Sequence, residues 1–441
     1  MGSLLHPDIT EDLRRRAVLW TGAVAVGLAA VALALLAEQA ARGFNAILHI
    51  CRWLPLLVTP AGFALSVWVT RRYFPAAAGS GIPQTIATLE FAPRTARVVV
   101  LGIAGAVGKA LLTCLGVLCG GSLGREGPTV QIGASIMYSL RRFARFPMHD
   151  RERGLILAGG AAGISAAFNT PLAGVVFAIE EMSGSFEHRT SGTVLTAVIL
   201  AGVTALGLLG NYAYFGSTAA SLDWGRGWFV LILCGLVGGL GGGLFSLAML
   251  NLDRLIPRPI KHWRTQHPVR FAAACGLLLA LLGVASSGVV YGTGYEQARA
   301  MLVGTSNVGP GFAALKIIAT LLSQASGVPG GFFAPMLAIG AGIGYDIAQH
   351  TQLAAAGAII ILCMVSFLSG VIQAPITSLV IVMELTNDHS MILPIMAASV
   401  ISSAVSRRIV HEPLYKQMAK RFAAQFTPPA IPSVTSMETT V

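Results

Sequence analysis

Charged side chains are scarce in this chain: they make up 11% of its 441 residues, whereas 54% are hydrophobic. A soluble globular protein needs roughly a quarter of its residues charged, so that class is excluded. The strand-length alternation of an outer-membrane barrel is also missing, which leaves a helical, polytopic membrane protein. Six cysteines occur (Cys51, Cys114, Cys119, Cys234, Cys275 and Cys363), mostly in apolar runs and never in CxxC spacing. They read as small core residues rather than as disulfides or metal ligands, and no cofactor is expected. Neither HExxH nor GxSG with a partner histidine is present, so an intramembrane hydrolase has no motif behind it, and the chain is not expected to be an enzyme. The order of regions in a cleavable signal peptide is absent from the start of the chain, so the first span is expected to serve as the insertion signal.

The charge that is present is mostly basic, with a net value of +11. It gathers in short connections: Arg14 to Arg16, Arg141 to Arg153, Arg254 to Arg270, and Arg407 to Arg421. Basic groups flanking apolar spans mark cytoplasmic segments, which predicts a multi-pass protein of the cell (inner) membrane with both termini cytoplasmic. Nucleic acid is not expected as a partner, because no binding domain accompanies the charge.

Apolar spans recur from Val18 to the Pro413 region, many near the roughly 20 helical residues that cross a bilayer core. Full spans are expected at about 17–41, 53–69, 98–118 and 291–301, among others. The predicted organisation is a cytoplasmic segment 1–16, a membrane unit 17–210, a connecting loop 211–225, a second membrane unit 226–425 and a disordered cytoplasmic tail 426–441. Several spans are broken by Gly and Pro, and irregular backbone at membrane depth survives only inside protein or beside a wet cavity.

One such break is Gly121-Ser122-Leu123-Gly124-Arg125-Glu126-Gly127-Pro128, where a glycine loop feeds a helix. A helix start presents unpaired N–H groups and a positive dipole end, so it attracts anions. Glu126 sits at that end. It reads either as a simple counter-charge for its helix or as a carboxylate that shares an anion site with a dissolved anion, and its apolar surroundings favour the second. Gly79-Ser80-Gly81-Ile82-Pro83 and Gly330-Gly331-Phe332-Phe333-Ala334-Pro335 are two further loop-to-helix starts. Ser80 alone is equally an N-cap or a ligand contact.

The chain also repeats itself. Gly124 to Pro128 followed by Ile132-Gly133-Ala134 matches Gly331 to Pro335 followed by Ile339-Gly340-Ala341, at an offset of 207. Asn169-Thr170-Pro171-Leu172, leading to Glu180, matches Gln373-Ala374-Pro375-Ile376, leading to Glu384, at an offset of 204. Two inverted units would place their broken helices face to face near the midplane, with the starts at Ser80, Arg125 and Phe332 meeting at one point.

The three Gly/Pro motifs, present in order, resemble those of the CLC family of chloride channels and chloride/proton antiporters, in its prokaryotic form without cytoplasmic CBS domains. The resemblance implies an all-α fold of two inverted-topology repeats of tilted, broken helices, with an anion pathway in each subunit of a homodimer. It implies chloride-binding positions at Ser80, Gly81, Ile82, Arg125, Gly127, Phe332, Phe333, Ala334 and Tyr415. Glu126 then resembles the external gating glutamate, and Glu181 the internal proton-transfer glutamate of the exchangers. Without the resemblance, Glu181 reads as a solvated helix end. Lys109 matches a buried lysine that supplies positive potential, and Glu180 is a structural neighbour of Glu181. Two departures stand out. Gln84 follows Pro83 where relatives often carry an acid, and Phe332 replaces a smaller residue, which predicts a narrower outer pathway. Ser80 itself argues against the nitrate-preferring branch, and the motif against the fluoride branch. The expected function is secondary-active chloride/proton antiport, with a passive chloride channel on the same fold as the alternative.

Overall fold

The computed structural model describes residues 7–143, 151–184, 188–210, 214–216, 220–222, 225, 227–306, 308–351 and 353–426. Among these residues there is no β-strand, only helices. The first half holds α1 (Pro7–Ile50), α2 (Pro55–Tyr73), α3 (Ile82–Glu90), α4 (Arg94–Val100), α5 (Ile103–Leu118), α6 (Glu126–Ser139), α7 (Arg151–Phe168), α8 (Pro171–Phe177) and α9 (His188–Leu209). The second half holds α10 (Gly227–Leu250), α11 (Leu252–Leu255), α12 (Arg258–Gln266), α13 (Pro268–Ala285), α14 (Tyr295–Val303) and α15 (Phe312–Ser326). It continues with α16 (Phe333–His350), α17 (Ala356–Ile372), α18 (Pro375–Thr386), α19 (Ile392–Ile409) and α20 (Leu414–Ala423). From Pro7 on, the expected leading segment 1–16 is part of α1, and the expected tail lies outside the described residues from 427 onward.

Few of these helices are long enough to span on their own. Among the described residues, α1, α9, α10, α13 and α19 have the length and apolarity to cross a membrane. Two expected spans differ from expectation. The span 98–118 is two helices, α4 and α5, bent by 46° at Leu101-Gly102. The span 291–301 shrinks to the nine residues of α14, because Gly288, Gly292 and Gly294 adopt positive φ and turn the chain before it. A run of apolar residues does not show where glycines interrupt the backbone hydrogen-bond ladder.

The core is built from helices that are themselves apolar all round. In α17 every residue from Ala358 to Ile372 is buried, as expected of a helix surrounded by protein rather than lipid. It lies against α16, while α7 lies against α6. Glycine permits both approaches: Gly133 of α6 sits on the backbone of Gly159, and Gly340 of α16 on that of Cys363 and Met364. Gly133 and Gly340 are related by the same 207-residue offset.

The two halves meet as inverted copies. Gly124 donates to the Gly331 carbonyl at 2.6 Å and Gly331 donates back at 2.8 Å, an antiparallel bridge between residues that are equivalent in the two repeats. A residue that pairs reciprocally and antiparallel with its own counterpart lies on a local two-fold axis. The same exchange recurs further along. Glu180 accepts from the N–H groups of Ile376 (3.3 Å) and Thr377 (2.6 Å) at the start of α18. Glu384 accepts from Leu172 (3.2 Å) and Ala173 (2.7 Å) at the start of α8. Each carboxylate thus caps the broken helix of the opposite repeat, satisfying amides that the missing helical turn leaves unpaired. Asn169 and Gln373, which precede those starts, both turn left-handed, with φ of 58° and 55°.

Candidate functional site

Three glycine-rich loops precede α3, α6 and α16, and hydrogen bonds join them into one knot. Gly330 donates to the Gly79 carbonyl at 3.3 Å, and the Gly124–Gly331 pair ties the other two loops together. Gly81 has φ of 115°, and any side chain there would strike the Gly127 backbone, so this close contact between the α3 and α6 starts requires glycine. The starts expected to meet at one point do so.

Most polar groups of the knot have partners. Lys109, fully buried in α5, donates to the carbonyls of Gly79 (2.6 Å) and Ala78 (3.3 Å), and thereby fixes the loop that presents Ser80. Its side-chain nitrogen holds the loop by those two carbonyls. Arg125 reaches away to the Ala34 carbonyl of α1 at 2.8 Å. The Gly81 N–H is taken by Gln84 Oε1 at 2.7 Å, so the side chain that departs from the family pattern caps its own helix and occupies one of the amides expected at the anion. The Ser122 hydroxyl and N–H meet Thr320 and Ser323 of α15.

A small set of buried oxygens has no such partner. The hydroxyls of Ser80 and Tyr415, both Glu126 oxygens and Glu181 Oε1 are buried without a hydrogen bond. Other buried side chains, such as Thr59 and Thr113, also carry unpaired oxygens, but among the described residues only Glu126 and Glu181 contribute carboxyl groups. Glu126 folds back beside Gly124 and the start of α16. The amides of Arg125, Glu126 and Ala334 are directed at its carboxyl, though none reaches full hydrogen-bond geometry. Native proteins rarely bury polar groups unpaired, and where they do a ligand or a chemical role is the usual reason.

Aromatic rings close the site. Phe332 and Phe333 are fully buried, and the Phe332 ring lies on Tyr415 with centroids 5.2 Å apart. Phe332, expected to narrow the outer pathway, packs its ring on that of Tyr415. Phe333 packs on Phe168 at 5.5 Å. Tyr415 starts α20, which packs against α3, so the last helix closes over the Ser80 loop. Glu181 lies in a π-helical turn, Ala178–Ser183, that continues α8. Such a turn widens the helix and re-aims its side chains, a feature common at functional positions. Glu181 is half-buried there, with its Oε1 out of solvent.

One buried residue escaped the reading of the sequence. Lys316 of α15 is fully buried and donates to the carbonyls of Gly292 (2.7 Å), Val290 (2.8 Å) and Tyr291 (3.4 Å) ahead of α14. It lies 207 residues after Lys109, and Gly292-Thr293-Gly294 lies ahead of α14 as Gly79-Ser80-Gly81 lies ahead of α3. The signal was the 207-residue offset already found between Gly124–Pro128 and Gly331–Pro335.

Two inverted repeats of interrupted membrane helices, with their starts gathered around unpaired buried oxygens, define a multi-pass membrane transport protein. The sequence model described as voltage gated chloride channel matches residues 62–407, and the chain belongs to that family, the CLC proteins. Ser80, Glu126, Glu181, Phe332 and Phe333 fall inside the matched residues; Tyr415 falls beyond them. Among solved structures, a slow cyanobacterial Cl-/H+ antiporter is 22% identical, with a TM-score of 0.79 over 96% of this chain and 99% of its own. A CLC-type fluoride/proton antiporter is also 22% identical, with a TM-score of 0.78 over 93% and 99%. A eukaryotic CLC transporter is 19% identical, with a TM-score of 0.74 over 92% of this chain and 74% of its own.

Proposed function

We propose that this protein is a secondary-active antiporter that exchanges chloride for protons across the membrane. The observation that carries the reading is the set of unpaired buried oxygens on Ser80, Glu126 and Tyr415 at the starts of α3, α6 and α20, with a further one, Glu181 Oε1, in the π-helical turn after α8. Hydroxyl donors and main-chain amides attract a halide without a full positive charge that would trap it, as turnover requires. In this reading Ser80 and Tyr415 hold the central chloride, with the amides of Phe332 and Phe333. Glu126 stands in for a second chloride at the amides of Arg125, Glu126 and Ala334. Protonated, it leaves that position to an anion and carries the proton inward to Glu181. The antiporter is favoured over a passive channel because Glu181, half-buried in the π-helical turn, keeps its Oε1 out of solvent and without a partner. The names of two structurally similar antiporters point the same way.

The test is flux in vesicles of purified protein under opposed chloride and pH gradients. A chloride gradient is expected to drive protons uphill, with a reversal potential set by both ions, and Glu181→Gln to remove the proton component while chloride still moves. A reversal potential that follows chloride alone in the unmodified protein would assign the channel instead.

We assign the protein as a homodimer through the face formed by α8, α9, α18 and α19. There Leu172 (60% exposed) and Ile376 (55% exposed) stand beside the caps made by Glu384 and Glu180, and Leu195, Val203, Leu393 and Val400 extend the apolar surface. Partly exposed carboxylates among apolar side chains are costly against lipid and acceptable against protein. Cysteine introduced at Leu172 or Ile376 is expected to give a cross-linked dimer in membranes, and cysteine at Leu281 on α13 is not. The reverse pattern would move the interface elsewhere.

A further inference from the structure

A cavity of about 330 Å³ lies between α1, the end of α9 and the start of α14, and Arg125 is the residue it shares with the site above. Two tyrosines give it its character. Tyr214 and Tyr295 both line it, and their rings meet edge to face with centroids 4.6 Å apart at 65°, so they make a corner instead of a flat wall. Further rings support that corner: Phe215 lies 5.6 Å from Tyr295, and Phe168 lies 5.6 Å from Tyr214. Rings held in this way stand in place before a ligand arrives, which lowers the cost of binding.

The chemistry of the wall indicates the class of ligand. Among the described residues the charged groups lining the cavity are Glu38, Glu296 and Arg125. Glu38 faces Arg42 at 2.6 Å, and Arg125 donates to the Ala34 carbonyl at 2.8 Å, so both are engaged along α1. Glu296 follows Tyr295 directly and is exposed, which puts a full negative charge beside the ring corner. Ring faces are themselves partly negative and attract a cation within about 6 Å. Leu35, Val117 and Leu209 add apolar wall, among which a metal ion or a primary ammonium would lose water without compensation. A quaternary ammonium has no N–H group to satisfy and presents methyl groups, so rings, aliphatic wall and carboxylate all suit it. The volume is near the lower end of ligand pockets, roughly 300–1,000 Å³, which limits the ligand to a small molecule.

We infer that Tyr214, Tyr295 and Glu296 form a binding site for a quaternary ammonium group, carried by a small organic cation of the choline type. The trimethylammonium head sits in the ring corner with Glu296 as its counter-charge. Binding does not depend on the antiport reading, and its test does not measure transport.

Full-length protein in a maltoside detergent would be titrated calorimetrically with choline at constant chloride concentration. A neutral alcohol of the same shape, with carbon in place of the charged nitrogen, serves as the control and is expected to bind on the order of tenfold more weakly. Tyr295→Leu and Glu296→Gln are each expected to weaken choline binding roughly fivefold, whereas Tyr295→Phe keeps the ring face and should retain it. Glu296 is exposed, so its variant tests the site even where the leucine variant does not fold. Competition distinguishes the sources of the ammonium group. Phosphatidylcholine that displaces choline better than glycerophosphocholine supports a lipid headgroup in the site, and the opposite order supports a soluble compound. The site would be overturned by no choline binding at millimolar concentrations, by equal affinity for the neutral alcohol, or by full choline affinity in Glu296→Gln together with a folded Tyr295→Leu.

Discussion

Glu126→Gln is expected to abolish proton movement in vesicles while chloride still flows, and to raise chloride affinity on the order of tenfold. The amide keeps the shape of the side chain but carries neither a titratable proton nor a charge. Glu126 lies fully buried at the start of α6, beside Gly124 and with the Ala334 amide directed at it, in the position that the proposed function gives to an anion. A tethered carboxylate competes with dissolved chloride at a high effective concentration, so removing its charge removes the competitor. Electrostatics at such a place are strong, because water is excluded and the helix ends cannot reorient. Titration calorimetry with chloride and a pH electrode on reconstituted vesicles measure the two effects separately. Proton uptake that persists and still follows chloride in this variant would end the assignment of Glu126 as the carrier.

Lys316→Met is expected to destabilise the protein by on the order of 3 kcal/mol, read as a lower unfolding temperature in detergent. The lysine donates to three carbonyls, Val290, Tyr291 and Gly292, in the turn that precedes α14, and it is fully buried. Methionine fills similar space without a donor, leaving those carbonyls unpaired where water does not reach. Lys109 makes the equivalent contacts to Ala78 and Gly79, so the two repeats are held alike although their loops differ in sequence. An unfolding temperature equal to that of the unmodified protein would show that the turn holds itself and that Lys316 is dispensable.

Much of this architecture was legible along the chain, and the reason is its duplication. Gly124 and Gly331 could be matched from sequence because the backbone needs the same small residue at the axis from both sides. Glu180 and Glu384 were paired by the same comparison, and the structure gives each the matching task of capping the other repeat's helix. The reading was weaker where a residue's role depends on a distant partner. Phe332 was noted only for its size, and it packs on a tyrosine 83 residues later; Gln84 was noted only as a departure, and its cap on the nearby Gly81 amide depends on the turn that Gly81 makes. Lys316 was passed over because a single lysine in an apolar run carries no pattern of its own.

Apolar composition, glycine–proline punctuation and internal repetition by themselves determined a duplicated helical membrane protein with interrupted spans, since these are local demands that lipid and backbone geometry place on every residue. Which oxygens remain unpaired, which amides are already taken and which rings pack on one another were decided only when the chain folded and the partners met, from three residues apart at Gly81 and Gln84 to 201 apart at Ser122 and Ser323. Hydrogen bonds act over about 3 Å, and no spacing along the chain records that distance.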